Sequence, residues 1–198
     1  MPIKPYNSAP VMFLLELNTQ CAFARVSFER LQSAAPAWYT DATPEQSVEP
    51  MPPRDIMIQC TAFLSAAGVI SKTLFAGRRS DKVVARRCTR LRQLLGINDL
   101  HTLRDLSVRN SFEHIDERLD RIFSSFASAR VNPLSVTERP PSPGTLVLKR
   151  FDPKRLTVSF ATAEISLTEC MDEILEIESQ IDPAFKKLQG PKFDLWTP

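Results

Sequence analysis

Arg109, Asn110 and His114 lie close together in the chain, followed at once by Asp116, Glu117 and Asp120. These residue types suit phosphodiester chemistry. The chain has 2 histidines, His101 and His114, and histidine is the side chain whose ordinary pKa lies nearest neutrality. A histidine can take a proton from a ribose 2′-hydroxyl or return one to a leaving 5′-oxygen. The arginine fork matches phosphate oxygens and stabilises charge building on them. Asn110 can orient the ribose or the imidazole. The attacking group would be the 2′-hydroxyl, so the substrate would be RNA. The plainer alternative pairs Arg109 with Asp105 or Glu113, one helical turn away, and leaves His114 as a surface histidine.

The element that must position these residues is a long helix expected over about 99–128, capped by Asn98 or Asp99. At about 100° per residue, Val108, Phe112, Ile115, Leu119, Ile122 and Phe126 fall on one line facing the core. Arg109 and His114 bracket the opposite, polar face, with Asn110 four residues from His114. Leu103 and Leu106 are apolar on that far side. A helix apolar on two sides is covered twice, or meets a partner. A two-fold axis beside this face would bring two copies of Arg109, Asn110 and His114 together.

The remaining pattern is mainly α. Leu14, Leu17, Cys21, Ala24, Phe28 and Leu31 recur at three-four spacing and predict a helix over 11–35. Ile56, Cys60, Phe63, Ala67, Ile70 and Leu74 predict another over 54–76, with Gly77 as C-cap. Val84, Cys88, Leu91 and Leu95 predict a third over 81–95, from a Ser80 N-cap to Gly96. Between the first two helices Pro36, Pro44, Pro50, Pro52 and Pro53 make a long connection. It carries Trp38 and Tyr39, expected to pack back as apolar anchors. Short links favour antiparallel neighbours, so 11–130 reads as an antiparallel bundle of about four long helices.

After Arg130, Pro133, Pro140, Pro141, Pro143 and Gly144 read as a linker. Thr145 to Arg150 and Leu156 to Phe160 form a predicted hairpin, which Ile165 to Leu167 can extend. Ser166 and Glu169 look like a capping box opening a last helix over about 167–182, ended at Asp182-Pro183. Residues 145–185 therefore read as a small α/β appendage packed on the bundle.

The bulk figures allow one domain with a real core. With 43% hydrophobic and 24% charged residues and a net charge of +2, the chain has no global bias toward polyanions. Its 4 cysteines include no C-x-x-C pair and no zinc spacing, so they read as reduced and buried. No metal ligand set and no cofactor are implied. The apolar run Val11 to Leu17 is interrupted by Glu16 and too short for a membrane span. Expected localisation is cytoplasmic.

Local charge is uneven. Arg78, Arg79, Lys82, Arg86, Arg87, Arg90 and Arg92 are opposed only by Asp81, and Arg79, Lys82, Arg86 and Arg90 share one helical face. Such a stripe can follow a phosphate backbone. Against that stands the ordinary reading of charge runs as solvated faces or intramolecular pairs. Glu164, Glu169, Asp172, Glu173, Glu176, Glu178 and Asp182 concentrate acid in the C-terminal part, where a docked helix would mask the stripe.

Arg109-Asn110, four residues further His114, and the surrounding Glu113-His114-Ile115-Asp116-Glu117-Arg118 resemble the signature of the HEPN superfamily and of uncharacterised bacterial HEPN-like proteins. The resemblance is strong over about 20 residues and loose over the helical order of 11–128. It implies an α-helical bundle with Arg109 as the phosphate-stabilising arginine, His114 as the acid–base residue and Asn110 as their polar companion. It also implies a metal-independent endoribonuclease with a composite site at a homodimer interface, to which Leu103 and Leu106 would contribute. Family members act in toxin–antitoxin, phage-defence and RNA-processing systems, so an antitoxin or other protein partner is implied. Other members are non-catalytic modules that bind a partner protein or nucleotide. Asp116 stands where one HEPN toxin group has a tyrosine, so that subgroup does not fit.

Overall fold

The structure, a computed structural model, describes residues 8–39, 50–77, 80–98, 100–105, 119–120, 122–124, 130–161 and 163–188. Helix α1 spans Ser8–Ala34 and runs into a 3-10 turn, Ala35–Trp38. Helix α2 spans Pro53–Leu74, α3 Lys82–Leu95 and α4 His101–Arg104. Four strands follow: β1 Arg130–Val136, β2 Thr145–Asp152, β3 Thr157–Phe160 and β4 Ala163–Ser166. Helix α5, Leu167–Leu188, closes the described chain. The protein is mainly helical, with one small mixed sheet near its C-terminal end.

The three-four stripes go inside as their spacing demands. Leu14, Leu17, Cys21, Ala24 and Leu31 of α1 are fully buried, as are Ile56, Cys60, Phe63, Ile70 and Leu74 of α2. Helix α1 touches both α2 and α5. Phe28 meets Phe63 with ring centroids 6.1 Å apart, and Cys21 Sγ donates to Ile174 O of α5 at 3.9 Å. Trp38 is half-buried and donates from Nε1 to Met51 O at 3.2 Å, joining the two ends of the long connection. One continuous core includes residues of all four α1–α4 helices, Phe151, Val158 and Ile165 of the sheet, and α5 from Leu167 to Leu188. The stretches expected as a bundle and an appendage thus share a single core.

The strand order is β1-β2-β3-β4. Strands β2–β3 and β3–β4 are antiparallel hairpins, with Asp152 opposite Thr157 and Phe160 opposite Ala163. Strand β1, which the sequence reads as linker, pairs parallel to β2 from Arg130↔Thr145 to Val136↔Phe151. Pro133 hid it, but β1 is an edge strand, where a missing N–H breaks no ladder. Its return to β2 takes only residues 137–144, whereas parallel strands ordinarily need about a dozen or more. Eight extended residues reach at most about 26–29 Å, just enough to retrace a seven-residue strand. Pro140, Pro141 and Pro143 favour that extended course.

Four further positions differ from the sequence reading. Asp81, rather than Ser80, caps α3, accepting from Val84 N at 2.8 Å, while Gly96 terminates it with φ 73 as expected. Helix α2 stops at Leu74, before Gly77, and Arg92 donates to Leu74 O there. The helix expected unbroken from 99 is interrupted, because α4 ends at Asp105 with φ -88 and ψ 95. No side chain at its own N-cap, Leu100, closes it. Glu173 of α5 does so instead, accepting from Thr102 N at 2.8 Å and Leu103 N at 2.7 Å. Finally, α5 continues through Pro183, since Ala184 and Leu188 beyond it are buried and Lys187 Nζ donates to Leu94 O at 2.9 Å. At the end of α2 and the start of α4 the partner lies far away in sequence. Ser166 does cap α5, accepting from Glu169 N at 3.2 Å.

Glu173→Gln keeps the side-chain size but removes the charge and turns one of the two accepting oxygens into an NH2, which leaves one α4 amide unmet. We expect a loss of about 1–2 kcal/mol, the usual worth of a charge-assisted bond to part-buried amides. Faster hydrogen exchange at Thr102 and Leu103 should accompany it. Glu176→Gln, on the exposed side of the same helix, should stay within about 0.5 kcal/mol of the parent in urea denaturation.

Candidate functional site

Arg109, Asn110 and His114 lie outside the described residues, as do Leu106 and Arg79. Their approaches are described on both sides. Upstream, α4 is anchored by Glu173 through its first amides and by Leu103, which is fully buried in this chain's own core. Leu103 therefore does not present itself to a second copy. The expectation that it would came from carrying one helical phase across Asp105, where the helix breaks. His101 is exposed at the start of α4.

Downstream, Leu119-Asp120 and Ile122–Ser124 are helical. Leu119 and Ile122, expected on the core side, are half-buried, while Phe123 is exposed. Leu119 lines a groove of about 720 Å³ between α2 and the β1–β2 edge. Met57, Ile58 and Ala62 form its α2 wall, Leu134 and Leu148 its sheet wall, and Arg54 and Lys149 also border it.

The basic helix divides into two sets. Lys82 and Arg86 are exposed and Arg90 is half-buried. Arg86, Thr89, Arg90 and Gln93 line a shallow groove of about 450 Å³. Neither Arg86 nor Arg90 lacks a partner in the fold. Arg87 and Arg92 turn toward the end of α2. Arg87 donates to Lys72 O at 3.3 Å and stacks over Phe13 at 4.8 Å. Arg92 donates to Leu74 O and stacks over Phe75 at 5.1 Å. Cations at a helix C-terminus meet both its unpaired carbonyls and its negative dipole end. This pair is structural, and Arg79 is not described. Of the expected phosphate stripe, Lys82, Arg86 and Arg90 lie among the described residues.

The acidic helix is also employed locally. Glu173 caps α4, and Glu178 meets Arg25 of α1 at 3.6 Å. Near its start Glu164 of β4 pairs with Arg155 at 3.1 Å. Sequence reasoning missed Glu173, Arg87 and Arg92 as caps, because a cap supplied from another helix leaves no local spacing to detect.

The four cysteines are free and buried. Burial pushes the Cys21 thiol up from 9.0 to about 12, with the nearby Glu178 carboxylate adding to it. Burial does the same to Cys170, also to about 12, with help from Glu173. It raises Cys60 as well. Such thiols stay protonated and make poor nucleophiles. Among the described residues, no group of three or more His, Cys, Asp or Glu side chains could hold a metal ion. Among the same residues one helix, Pro53–Leu74, is long and apolar enough to cross a membrane, and 61% of its apolar window is buried inside the fold. No protein-family model, curated protein or solved structure compared with the chain matches it.

The thiols set a pH dependence. Their folded pKa values exceed the unfolded ones, so their contribution is complete below the unfolded value. It is lost as pH rises toward the folded value. Between about pH 9 and 11, each such thiol should steepen the fall in stability by up to about 1.4 kcal/mol per pH unit. Urea titrations across that range should show the fall, and Cys60→Ala, although less stable at neutral pH, should show a shallower one. A thiol reagent should modify these cysteines only as fast as the protein unfolds.

Proposed function

We propose that the chain is a metal-independent endoribonuclease of HEPN type, with a composite active site at a homodimer interface. The observation that carries this reading is the Arg109-Asn110…His114 spacing beside Glu113, Asp116, Glu117 and Arg118. In the proposed reaction the ribose 2′-hydroxyl oxygen attacks the adjacent phosphorus, and the bond to the 5′-oxygen breaks. The products are a 2′,3′-cyclic phosphate and a 5′-hydroxyl. His114 takes the 2′-hydroxyl proton or protonates the leaving oxygen, and its copy across the interface supplies the complementary transfer. Arg109 offsets the charge that grows on the non-bridging oxygens. Asn110 orients the ribose or the imidazole. Lys82, Arg86 and Arg90 hold the RNA backbone by charge, without sequence preference. An antiparallel arrangement of the long helices, a cytoplasmic setting and a toxin–antitoxin or phage-defence role belong to the same proposal.

A second reading, a non-catalytic HEPN-like module that binds a protein, has its own support. Phe23 and Val26 of α1 and Ile58 of α2 are exposed at 58%, 44% and 52%. Phe23 and Val26 share a groove with Ala62 and Ser65 of α2. A contiguous exposed apolar patch marks an interaction surface, and Phe23 with Val26 is where such a patch would centre.

The ribonuclease reading predicts RNA cleavage in EDTA that leaves 2′,3′-cyclic phosphate ends, with DNA uncut. His114→Ala should lower the rate by about 10²–10⁴-fold, the usual worth of a positioned acid–base group, without changing the melting temperature. A protein that is dimeric and folded yet leaves varied RNAs intact would falsify this reading and favour the binding module. A monomer in sedimentation at micromolar concentration would remove the composite site.

A further inference from the structure

Helix α1 is apolar on two opposite sides. Leu14, Leu17, Cys21, Ala24 and Leu31 fill the core. At about 100° per residue, Met12, Leu15, Thr19, Phe23 and Val26 fall within about 40° of the line directly opposite, and all five are exposed. We propose that this outer stripe is a homodimer interface, in which α1 of one copy lies antiparallel on α1 of a second copy with the two-fold axis at Thr19. The proposal rests on neither functional reading. It names a second copy as what covers the surface around Phe23 and Val26.

Exposed area is the first ground. Met12, Leu15, Phe23 and Val26 are 63%, 47%, 58% and 44% exposed. Ala62 and Ser65 of α2 border the same groove as Phe23 and Val26, a space of about 670 Å³. These α2 side chains are small, so the α2 side of the face stays low and leaves room for a helix lying along α1. Val69, one turn beyond Ser65, is 36% exposed. The stripe and Val69 together leave roughly 500 Å² of apolar side chain uncovered, about the apolar share of the ~800 Å² that each partner buries in a specific dimer.

The order of the stripe is the second ground, and it selects a second copy as the occupant. Leu15 and Phe23 each stand four residues from Thr19, and Met12 and Val26 each stand seven. The stripe is therefore apolar at the same distances in both directions. When two copies of α1 cross antiparallel at Thr19, Leu15 of each meets Phe23 of the other, and Met12 of each meets Val26 of the other. Self-complementarity of this kind is what a two-fold contact requires, since the same patch must serve both sides. A foreign helix has no need of it.

The polar groups agree with that register. None of the five stripe residues is charged. Thr19 Oγ1 donates to Leu15 O at 3.0 Å, so the hydroxyl is met within its own helix and burying it on the axis leaves no donor unmet. Thr19 is also small, which lets the two helices approach closely where they cross. Glu16 accepts from Gln20 Nε2 at 2.8 Å. In the antiparallel register it falls opposite Ala22 of the other copy, so no two carboxylates are brought together.

The test is sedimentation of the full chain and of four variants. The parent should be a dimer at micromolar concentration. Leu15→Glu and Phe23→Lys should each weaken it roughly a hundredfold or more, because each buries two unpaired charges per dimer. Both positions are exposed in the single chain, so both variants should melt like the parent once it is diluted to monomer. Combining Leu15→Glu with Phe23→Lys should restore the dimer, since the carboxylate of each copy then meets the ammonium of the other. Thr19→Cys should cross-link to a dimer under mild oxidation, as residues on a two-fold axis can, while Asp172→Cys on the exposed side of α5 should not. The four native cysteines are buried and do not compete. A monomeric parent at hundreds of micromolar would overturn the proposal and leave the stripe to a different partner. A dimer that survives both Leu15→Glu and Phe23→Lys would overturn it too, while leaving a ribonuclease site at another interface standing. Failure of the combined variant to dimerise would overturn the antiparallel register. Absence of RNA cleavage by a dimer that behaves as expected would count against the ribonuclease reading alone.

Discussion

The fold depends on charged side chains that close helix ends belonging to other elements. A helix terminus leaves several backbone groups unmet, and burying them without partners is costly. Here the links between α2, α3 and α4 are short, and local sequence supplies only part of what is needed. Arg87 and Arg92 reach from α3 to the last carbonyls of α2. Lys187 reaches from α5 to Leu94 O at the end of α3. Glu173 reaches from α5 to the first amides of α4. Each contact also obeys the helix dipole, with cations at C-termini and a carboxylate at an N-terminus. Helices α3 and α5 therefore fix where the chain turns as well as contributing apolar surface.

That arrangement explains which parts of the fold were legible. Helices α1, α2 and α3 declared themselves through three-four apolar spacing, because burial of one stripe is a local pattern with a local consequence, and α5 through the capping box at its start. The β2–β3 hairpin and the Ser166 cap were legible for the same reason. The start of α4 was not, since the carboxylate that caps it lies 70 residues downstream, and the break at Asp105 leaves no mark in the apolar spacing. Strand β1 was hidden by Pro133, whose cost disappears only once the strand is known to lie at an edge. Pro183 was read as a stop, although burial of Ala184 and Leu188 carries α5 past it.

The candidate site was legible as chemistry and not as geometry. Arg109, Asn110 and His114 stand out by residue type and spacing, and the described chain brings that segment in from a fixed point, the Glu173-anchored α4. Leu119 marks the other side, at the groove between α2 and the sheet edge. The wheel built across 99–128 assumed one unbroken phase. Asp105 removes that assumption, so Leu103 cannot be used to say which way Arg109 and His114 face.

The same reasoning changes what the basic helix means. The seven basic residues from Arg78 to Arg92 read either as a phosphate-following stripe or as charges solvated or paired within the fold, and Arg87 and Arg92 are of the second kind, meeting carbonyls of α2. Replacing them would destabilise the fold and so weaken any ligand binding indirectly. Lys82 and Arg86 are exposed, and replacing them would act on the surface potential with little effect on packing. A loss of RNA binding after neutralising the whole helix would therefore be ambiguous. The discriminating observation is a reduced salt dependence of binding in Lys82 and Arg86 variants that melt like the parent, because counterion release scales with the phosphates actually neutralised. Caps of α2 would change the melting temperature and leave that slope alone.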